Sequence, residues 1–126
     1  MILLDSHAFY WWAVDDPKLS RPAHEAIAQE EQVYVSAVVP WEITNKVRIG
    51  KWSAAGALAQ RFFEVMDRYG FIPLPITLAH AHVAGLLPGI HRDPFDRMLA
   101  AQSHIENMPL VTADPVFRAF GTNVLW

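Results

Sequence analysis

The densest group of ionisable side chains lies in residues 91–102, which read His-Arg-Asp-Pro-Phe-Asp-Arg-Met-Leu-Ala-Ala-Gln. The first seven hold two carboxylates, two arginines and a histidine, in a chain of which only 18% of residues are charged. Asp93-Pro94 predicts a helix start, because aspartate caps free backbone N–H groups and proline is tolerated at the first helical position. Asp96 then lies in the first turn, where the helix dipole favours a carboxylate.

Three further acids follow predicted buried strands. Asp5 ends the apolar run 1–4, Glu42 lies about two turns beyond the β-branched strand 33–36, and Asp114 follows the strand 110–112. Each has a plain structural explanation: Asp5 or Ser6 could cap the next helix, and Glu42 could be a solvated helix glutamate. However, the carboxyl ends of parallel strands meet at one edge of the sheet, where ligands bind. Together the four acids predict an acidic pocket at that edge.

The chemistry expected of such a pocket is metal-dependent. Close carboxylates repel one another, so either their pKa values rise or a cation neutralises them. The hard ions Mg²⁺ and Mn²⁺ match all-oxygen ligand sets. Sites of this kind hydrolyse phosphodiesters by binding phosphate oxygens and lowering the pKa of an attacking water. Basic residues that could hold the substrate backbone flank the acids, namely Arg92, Arg97, Lys46 and Arg48.

The elements that position these residues alternate between strand and helix along the whole chain. Four or five short strands separated by helices predict a three-layer α/β/α fold with a central parallel sheet. The 126 residues suit a single domain, 1–126. Residues 54–69 are predicted to form the longest amphipathic helix, ended by Gly70. Residues 71–76, with two prolines, predict a short or edge strand. His80 and His82 are a poor metal pair, since side chains two apart on a helix point to different sides, and a surface role is expected for them instead.

Composition narrows the class of protein. The absence of cysteine excludes disulfides, thiol nucleophiles and thiolate metal sites. No apolar run approaches the roughly 20 residues of a membrane span, and no signal peptide is visible, so we expect a soluble cytoplasmic protein with no membrane partner. The net charge of −3 argues against a broad basic surface for nucleic acid. A polyanionic substrate would therefore need a metal to offset the acidic pocket.

The acids and their flanking residues resemble a known family. The opening Leu-Leu-Asp-Ser-His-Ala with aromatics after it, Glu42 after a short strand, the Asp-Pro-Phe-Asp-Arg block, and Leu-Val-Thr-Ala-Asp-Pro-Val-Phe together resemble the PIN-domain family. More narrowly, they are similar to the VapC-type toxins of toxin-antitoxin pairs. The resemblance spans essentially the whole chain. It implies an endoribonuclease dependent on Mg²⁺ or Mn²⁺, held inactive by a cognate antitoxin and usually homodimeric.

The resemblance also implies roles for particular residues. The family's acids carry over onto Asp5, Glu42, Asp96 and Asp114, with Asp5 and Asp96 as the first metal ligands. Asp96 is preferred to Asp93 because an aliphatic residue and two alanines follow it at the family's spacing, which leaves Asp93 as a cap or a ligand through water. Glu42 and Asp114 complete the metal site that the resemblance implies: Glu42 would bind or orient the metal-bound water, and Asp114 would act through water or a second ion. Thr112 would hold a water or a carboxylate, and Arg92 and Arg97 would bind substrate.

Two other functions stay open. The first is a catalytically silent PIN-like module that only binds partners or RNA. The second is a Mg²⁺-dependent phosphoacceptor signalling domain, which would need a lysine at the end of its last strand, whereas no lysine follows Lys51. Four tryptophans could stack on RNA bases or pack in the core or a dimer interface. The four are Trp11, Trp12, Trp41 and Trp52. The helix 54–69 and the aromatics could also receive an antitoxin peptide in a groove.

Overall fold

A computed structural model describes residues 1–126, in which five strands alternate with eight α-helices. The strands are β1 (Ile2–Leu4), β2 (Val33–Ser36), β3 (Ile72–Leu74), β4 (Leu110–Val111) and β5 (Val124–Leu125). The helices are α1 (Ser6–Ala13), α2 (Arg21–Gln29), α3 (Val38–Arg48), α4 (Gly56–Gln60), α5 (Phe62–Tyr69), α6 (Leu78–Leu86), α7 (Pro94–Glu106) and α8 (Val116–Ala119). None of these helices has the length and apolar character needed to span a membrane.

The five strands form one sheet in the order β3-β2-β1-β4-β5, and every pairing is parallel. This confirms the predicted parallel sheet, and β3 lies at an edge as its prolines indicate. The chain runs from β1 outward to β3 on one side and then returns to place β4 and β5 on the other. Because parallel crossovers are right-handed, this reversal puts helices on both faces of the sheet. The carboxyl ends of β1 and β4 lie side by side at the reversal, where such sheets open a crevice.

The two central strands are held by the core. Leu3 and Leu4 of β1 and Leu110 and Val111 of β4 have no exposed surface, and they belong to a cluster of 27 buried apolar residues. Each fully buried leucine contributes about 1.5–3 kcal/mol relative to an exposed one. The backbone at the ends of β1 and β4 is therefore held rigidly. The residues that directly follow these strands consequently have fixed positions at the crevice.

The predicted helix over residues 54–69 is wrong in one respect, since the segment is broken. A 3₁₀ turn (Ser53–Ala55) precedes α4, and Arg61 separates α4 from α5 with φ −113° and ψ 17°. The N–H of Arg61 bonds to the carbonyl of Leu58, three residues back, so the chain tightens there. A stripe of apolar residues does not distinguish one continuous helix from two short ones whose apolar faces lie on the same side. The predicted end at Gly70 is confirmed, with φ 65°.

The expectation of a surface role for His80 is also wrong. Its side chain is 1% exposed, its Nδ1 accepts from the Thr77 N–H at 3.1 Å, and its Nε2 lies 2.8 Å from Glu106 Oε1. Since Nδ1 accepts, Nε2 carries the proton that Glu106 accepts. His80 thus completes the N-terminal cap of α6 and ties it to α7. His82 is exposed, as expected.

Candidate active site

A pocket of about 350 Å³ opens where β1 and β4 end. All four predicted acids line it, and a fifth carboxylate joins them, so that the acids of the pocket are Asp5, Glu42, Asp93, Asp96 and Asp114. The five acids come from four different connections between strands, and their proximity follows from the strand order. The structure therefore brings together the residues that the sequence places at separate strand ends.

Asp5 is fixed through both carboxylate oxygens. Its Oδ1 accepts a 2.7 Å hydrogen bond from the Ala8 N–H and so caps α1, while its Oδ2 accepts a 2.5 Å bond from the Thr112 hydroxyl. Burial raises the pKa of Asp5 to about 7, because the bonds from Thr112 and Ala8 only partly offset the loss of water. The alternative in which Ser6 caps α1 and leaves Asp5 free is wrong, since Ser6 bonds elsewhere.

Glu42 is buried rather than solvated. Its side chain lies on α3 with one oxygen accepting a 2.5 Å bond from the Ser6 hydroxyl and the other a 2.7 Å bond from Lys46 Nζ. Lys46 is one helical turn further along, so the pair has the favourable i,i+4 spacing. Burial alone would lower the pKa of Lys46, but the Glu42 carboxylate outweighs this effect and raises it. Lys46 is thus the cation that offsets Glu42 within the chain.

Asp93 and Asp96 share the first turn of α7. Asp93 is the cap, because its Oδ1 accepts from the N–H groups of Phe95 and Asp96 at 2.8 and 3.2 Å. Asp96 Oδ2 lies 2.8 Å from His91 Nε2. Burial raises the pKa of Asp96 to about 6; the bond to His91 opposes this rise, and the negative charges of Asp93 and Glu42 add to it. Both carboxylates consequently lie in a strongly negative environment.

Asp114 is the most exposed of the five acids. Its backbone N–H donates to the Thr112 hydroxyl at 3.1 Å, and its Oδ1 accepts from the N–H of Val116, the first residue of α8. Thr112 therefore contacts two of the predicted acids at once, since its hydroxyl accepts from one and donates to Asp5. The predicted role of Thr112 in holding a carboxylate agrees with this contact, while a role in binding substrate stays a prediction.

The donors that best match a metal ion are oxygen atoms of Glu42, Asp93 and Asp96, all within 4.8 Å of one another. Asp5 lines the same pocket but lies outside this tight group, because its oxygens are turned towards α1 and Thr112. The first two ligands predicted from the sequence are Asp5 and Asp96. The tight group contains Asp96, but it contains Asp93 and not Asp5. An all-carboxylate set, in which burial raises the pKa of Asp96, is chemically suited to a hard divalent cation.

The two predicted substrate arginines lie in different surroundings. The Arg97 guanidinium donates to the carbonyls of Ala84 at 2.9 Å and of His91 at 3.0 Å, and it also bonds to the Leu87 carbonyl. It therefore fastens the end of α6 and the following loop, which leaves it poorly placed to hold substrate. Arg92 is exposed on that loop and makes no hydrogen bond within the chain, so it keeps the predicted availability.

The tryptophans divide by location. Trp11 lines the acidic pocket, whereas Trp12 packs against His24 and Tyr69 away from it. Trp41 contacts Phe95 edge-on with 57% of its surface exposed. Trp52 stacks on His7, another residue of the pocket that the sequence did not single out. The i,i+4 spacing of His7 and Trp11 on α1 was the available signal for placing both at one site.

Comparisons with known proteins agree with the motifs. The family model of the PIN domain matches residues 2–123. Ribonuclease VapC22 of Mycobacterium tuberculosis (strain ATCC 25618 / H37Rv) is 30% identical over 121 residues, which cover 94% of this chain and 90% of that protein.

Solved structures show the same fold at lower identity. One is a chain from the structure of VapBC2 from Rickettsia felis, which is bound to a DNA fragment of the VapBC2 promoter. It superposes with a TM-score of 0.68 at 17% identity, and the match covers 98% of this chain and 96% of that one. A chain of FitAcB from Neisseria gonorrhoeae gives 0.67 at 20% identity, covering 98% and 96%.

Proposed function

This chain belongs to the PIN-domain family, and from that premise we propose that it is a metal-dependent endoribonuclease, the toxin of a toxin-antitoxin pair. The observation that carries the proposal is the pocket at the ends of β1 and β4, where five carboxylates face one cavity. A structural role accounts for the caps formed by Asp5 and Asp93, but it does not account for the buried Glu42 and the half-buried Asp96 beside them. Such a concentration of like charge needs a cation to be stable when fully ionised.

The cation would be held by Glu42, Asp93 and Asp96, with Asp5 and Asp114 facing the same space. Carboxylate oxygens favour the hard ions Mg²⁺ and Mn²⁺, and we propose one of these two as the cofactor. The chemistry supplied by a divalent ion, when bound, is polarisation of a phosphoryl oxygen and acidification of a nearby water.

The chain's own groups orient the reaction. Thr112 and the Ala8 N–H hold Asp5, while Ser6 and Lys46 hold Glu42, so both carboxylates have a fixed direction. Glu42 is the group that orients the attacking water. Lys46 lines the pocket and can move its ammonium group from Glu42 to a phosphate oxygen of the substrate. Arg92 adds a second positive charge that can bind the RNA backbone. Arg97 is not assigned to the substrate, because its guanidinium bonds to carbonyls of α6 and the following loop.

The partners follow from the relatives. Ribonuclease VapC22 is named for its action on RNA, and the VapBC2 and FitAcB structures are complexes. We propose an RNA substrate, a cognate antitoxin that inhibits the enzyme, and a homodimer acting in the cytoplasm. Large exposed apolar side chains are suited to contact with a partner chain. Four such side chains are Phe63, Leu78, Leu86 and Ile90.

The test is cleavage of a mixed RNA pool by the purified chain in Mg²⁺ or Mn²⁺, with a chelator control. Asp5→Asn and Asp96→Asn are compared with Asp67→Asn, an exposed carboxylate on α5 outside the pocket. We expect cleavage by the wild type and Asp67→Asn, and its loss in the other two variants and in chelator. Activity that persists in both pocket variants would identify a contaminant. A folded wild type that binds no divalent ion and cuts nothing would favour the binding-only module.

A further inference from the structure

One wall of the acidic pocket is aromatic. His7 and Trp11 lie one turn apart on α1, both line the pocket, and their ring centroids are 5.4 Å apart. Trp52, which follows α3, stacks on one face of His7 at a centroid distance of 4.5 Å and an interplanar angle of 23°. Tyr10 contacts Trp52 edge-on, and Trp126 contacts Trp11. The pocket rings are therefore supported from behind by other rings.

Trp11 and Trp52 also pack against the hydrophobic core, but core packing does not account for His7. His7 is exposed and makes no hydrogen bond within the chain, although an imidazole has two nitrogens that bond readily. Trp12, which follows Trp11 on α1, packs against other side chains instead. Its ring contacts His24 and Tyr69, and it does not line the pocket. His7 and Trp11 instead line the same pocket as the carboxylates.

A polar side and an aromatic side in one pocket match the two parts of a nucleotide. The acids with their cation and Lys46 suit a phosphate, and flat rings suit a base, because stacking on aromatic side chains accepts any base. In a duplex both faces of each base are covered by its neighbours, so only an unpaired base can stack on a protein ring.

We propose that His7 and Trp11, backed by Trp52, form a stacking subsite for an unpaired base of the RNA nucleotide next to the cleaved phosphate. This rests on the proposed nuclease function and adds to it the part of the substrate that the pocket recognises. The subsite makes the enzyme selective for single-stranded RNA. It acts on substrate binding, so its loss raises KM and leaves kcat nearly unchanged.

The experiment measures binding and cleavage of one labelled single-stranded RNA and of its duplex, in Mg²⁺ and in Ca²⁺. His7→Ala and Trp11→Ala are expected to weaken binding of the single strand by about ten- to hundredfold and to leave duplex binding unchanged. His7→Phe keeps a flat ring without nitrogens and is expected to restore most of the binding. Trp12→Ala is the matched control, since this tryptophan lies outside the pocket.

Each outcome separates the subsite from the nuclease. If the wild type cleaves RNA and the ring variants bind and cleave like it, the subsite is disproved and the nuclease stands. If the wild type cuts nothing but His7→Ala loses single-strand binding, the subsite stands and the nuclease fails. A wild type that binds no single-stranded RNA, or a His7→Phe variant as weak as His7→Ala, overturns the stacking proposal. Should Trp11→Ala fail to fold, the two His7 variants decide, because that side chain is exposed.

Discussion

The Thr112 hydroxyl donates a 2.5 Å hydrogen bond to Asp5 Oδ2 and joins two residues that are 107 positions apart in the chain. Thr112 follows β4 and Asp5 follows β1, so this bond crosses the point where the strand order reverses. It holds a buried carboxylate in place without supplying a positive charge. Burial raises the pKa of Asp5 to about 7, and the hydrogen bond from Thr112 offsets only part of that rise.

The first prediction concerns stability against pH. The raised pKa means that the folded chain keeps a proton on Asp5 that the unfolded chain, with an ordinary value of 3.8, has released. This contribution to the free energy of unfolding is fully present below 3.8 and is lost as the pH rises through 7. In chelator, Asp5→Asn should therefore be more stable than the wild type at pH 8, by on the order of a few kcal/mol.

Thermal unfolding at pH 5 and pH 8 measures this difference. Asparagine caps a helix as well as aspartate does, and its amide can donate to Thr112, so the substitution removes charge without removing the cap. The advantage of Asp5→Asn should shrink at pH 5, where the wild-type carboxyl is protonated. Mg²⁺ at pH 8 should stabilise the wild type more than the variant, because a bound ion stabilises the folded state. Equal stability of the two chains at pH 8 would show that ionisation of Asp5 does not lower the free energy of unfolding.

The second prediction separates two roles of Asp93. Its Oδ1 caps α7, and its carboxylate also lies within 4.8 Å of donor oxygens of Glu42 and Asp96. Asp93→Asn keeps the cap and removes a charge that repels Asp96, so it should not lower the melting temperature in chelator, whereas Asp93→Ala loses the cap at a cost of about 1 kcal/mol. Both variants should bind Mn²⁺ about tenfold more weakly, since each removes one negative oxygen ligand.

Calorimetric titration with Mn²⁺ and thermal melts in chelator test both statements. If Asp93→Asn binds Mn²⁺ as tightly as the wild type, then Asp93 is a cap alone, and the ligand set returns to the acids that resemblance to the family implies.

The third prediction concerns Lys46. Its ammonium neutralises the buried Glu42 from 2.7 Å, so it competes with a metal for that carboxylate. Lys46→Met should bind Mn²⁺ about three- to tenfold more tightly, because the pocket gains net negative charge. It should also cleave RNA more slowly, since the phosphate loses a positive partner. Lys51→Met, at an exposed lysine beyond α3, is the control and should change neither quantity. Weaker metal binding in Lys46→Met would mean that the hold of the lysine on Glu42 helps metal binding more than its positive charge opposes it.

Local signals explain how far the sequence could predict this structure. Asp93-Pro94 and Gly70 predicted helix ends correctly because a cap depends on residues a few positions away. The acids at the strand ends were brought together because parallel strands share a carboxyl edge. The contact between Ser6 and Glu42, 36 positions apart, and that between His80 and Glu106, 26 apart, were not predictable. Neither pattern nor propensity specifies which polar groups meet when separate elements pack.

Arg97 shows the same limit and carries the last prediction. Its position beside Asp96 indicated a contact with substrate, but its side chain turns away to the carbonyls of Ala84, Leu87 and His91. Arg97→Lys keeps the charge but not the planar fork, so several of these carbonyls lose their donor. We expect a loss of about 1–3 kcal/mol in the free energy of unfolding, the usual cost of leaving buried polar groups unpaired.

The matched comparison is Arg92→Lys and Arg92→Ala. Arg92 is exposed and has no hydrogen bond within the chain, so both substitutions should leave the free energy of unfolding within about 0.5 kcal/mol of the wild type. Arg92→Ala should instead weaken RNA binding and make it less dependent on salt, because one phosphate contact is lost. Urea unfolding and RNA titration at two salt concentrations distinguish the two arginines. Normal stability together with impaired RNA binding in Arg97→Lys would mean that this guanidinium leaves the loop to bind substrate, as its sequence position indicated.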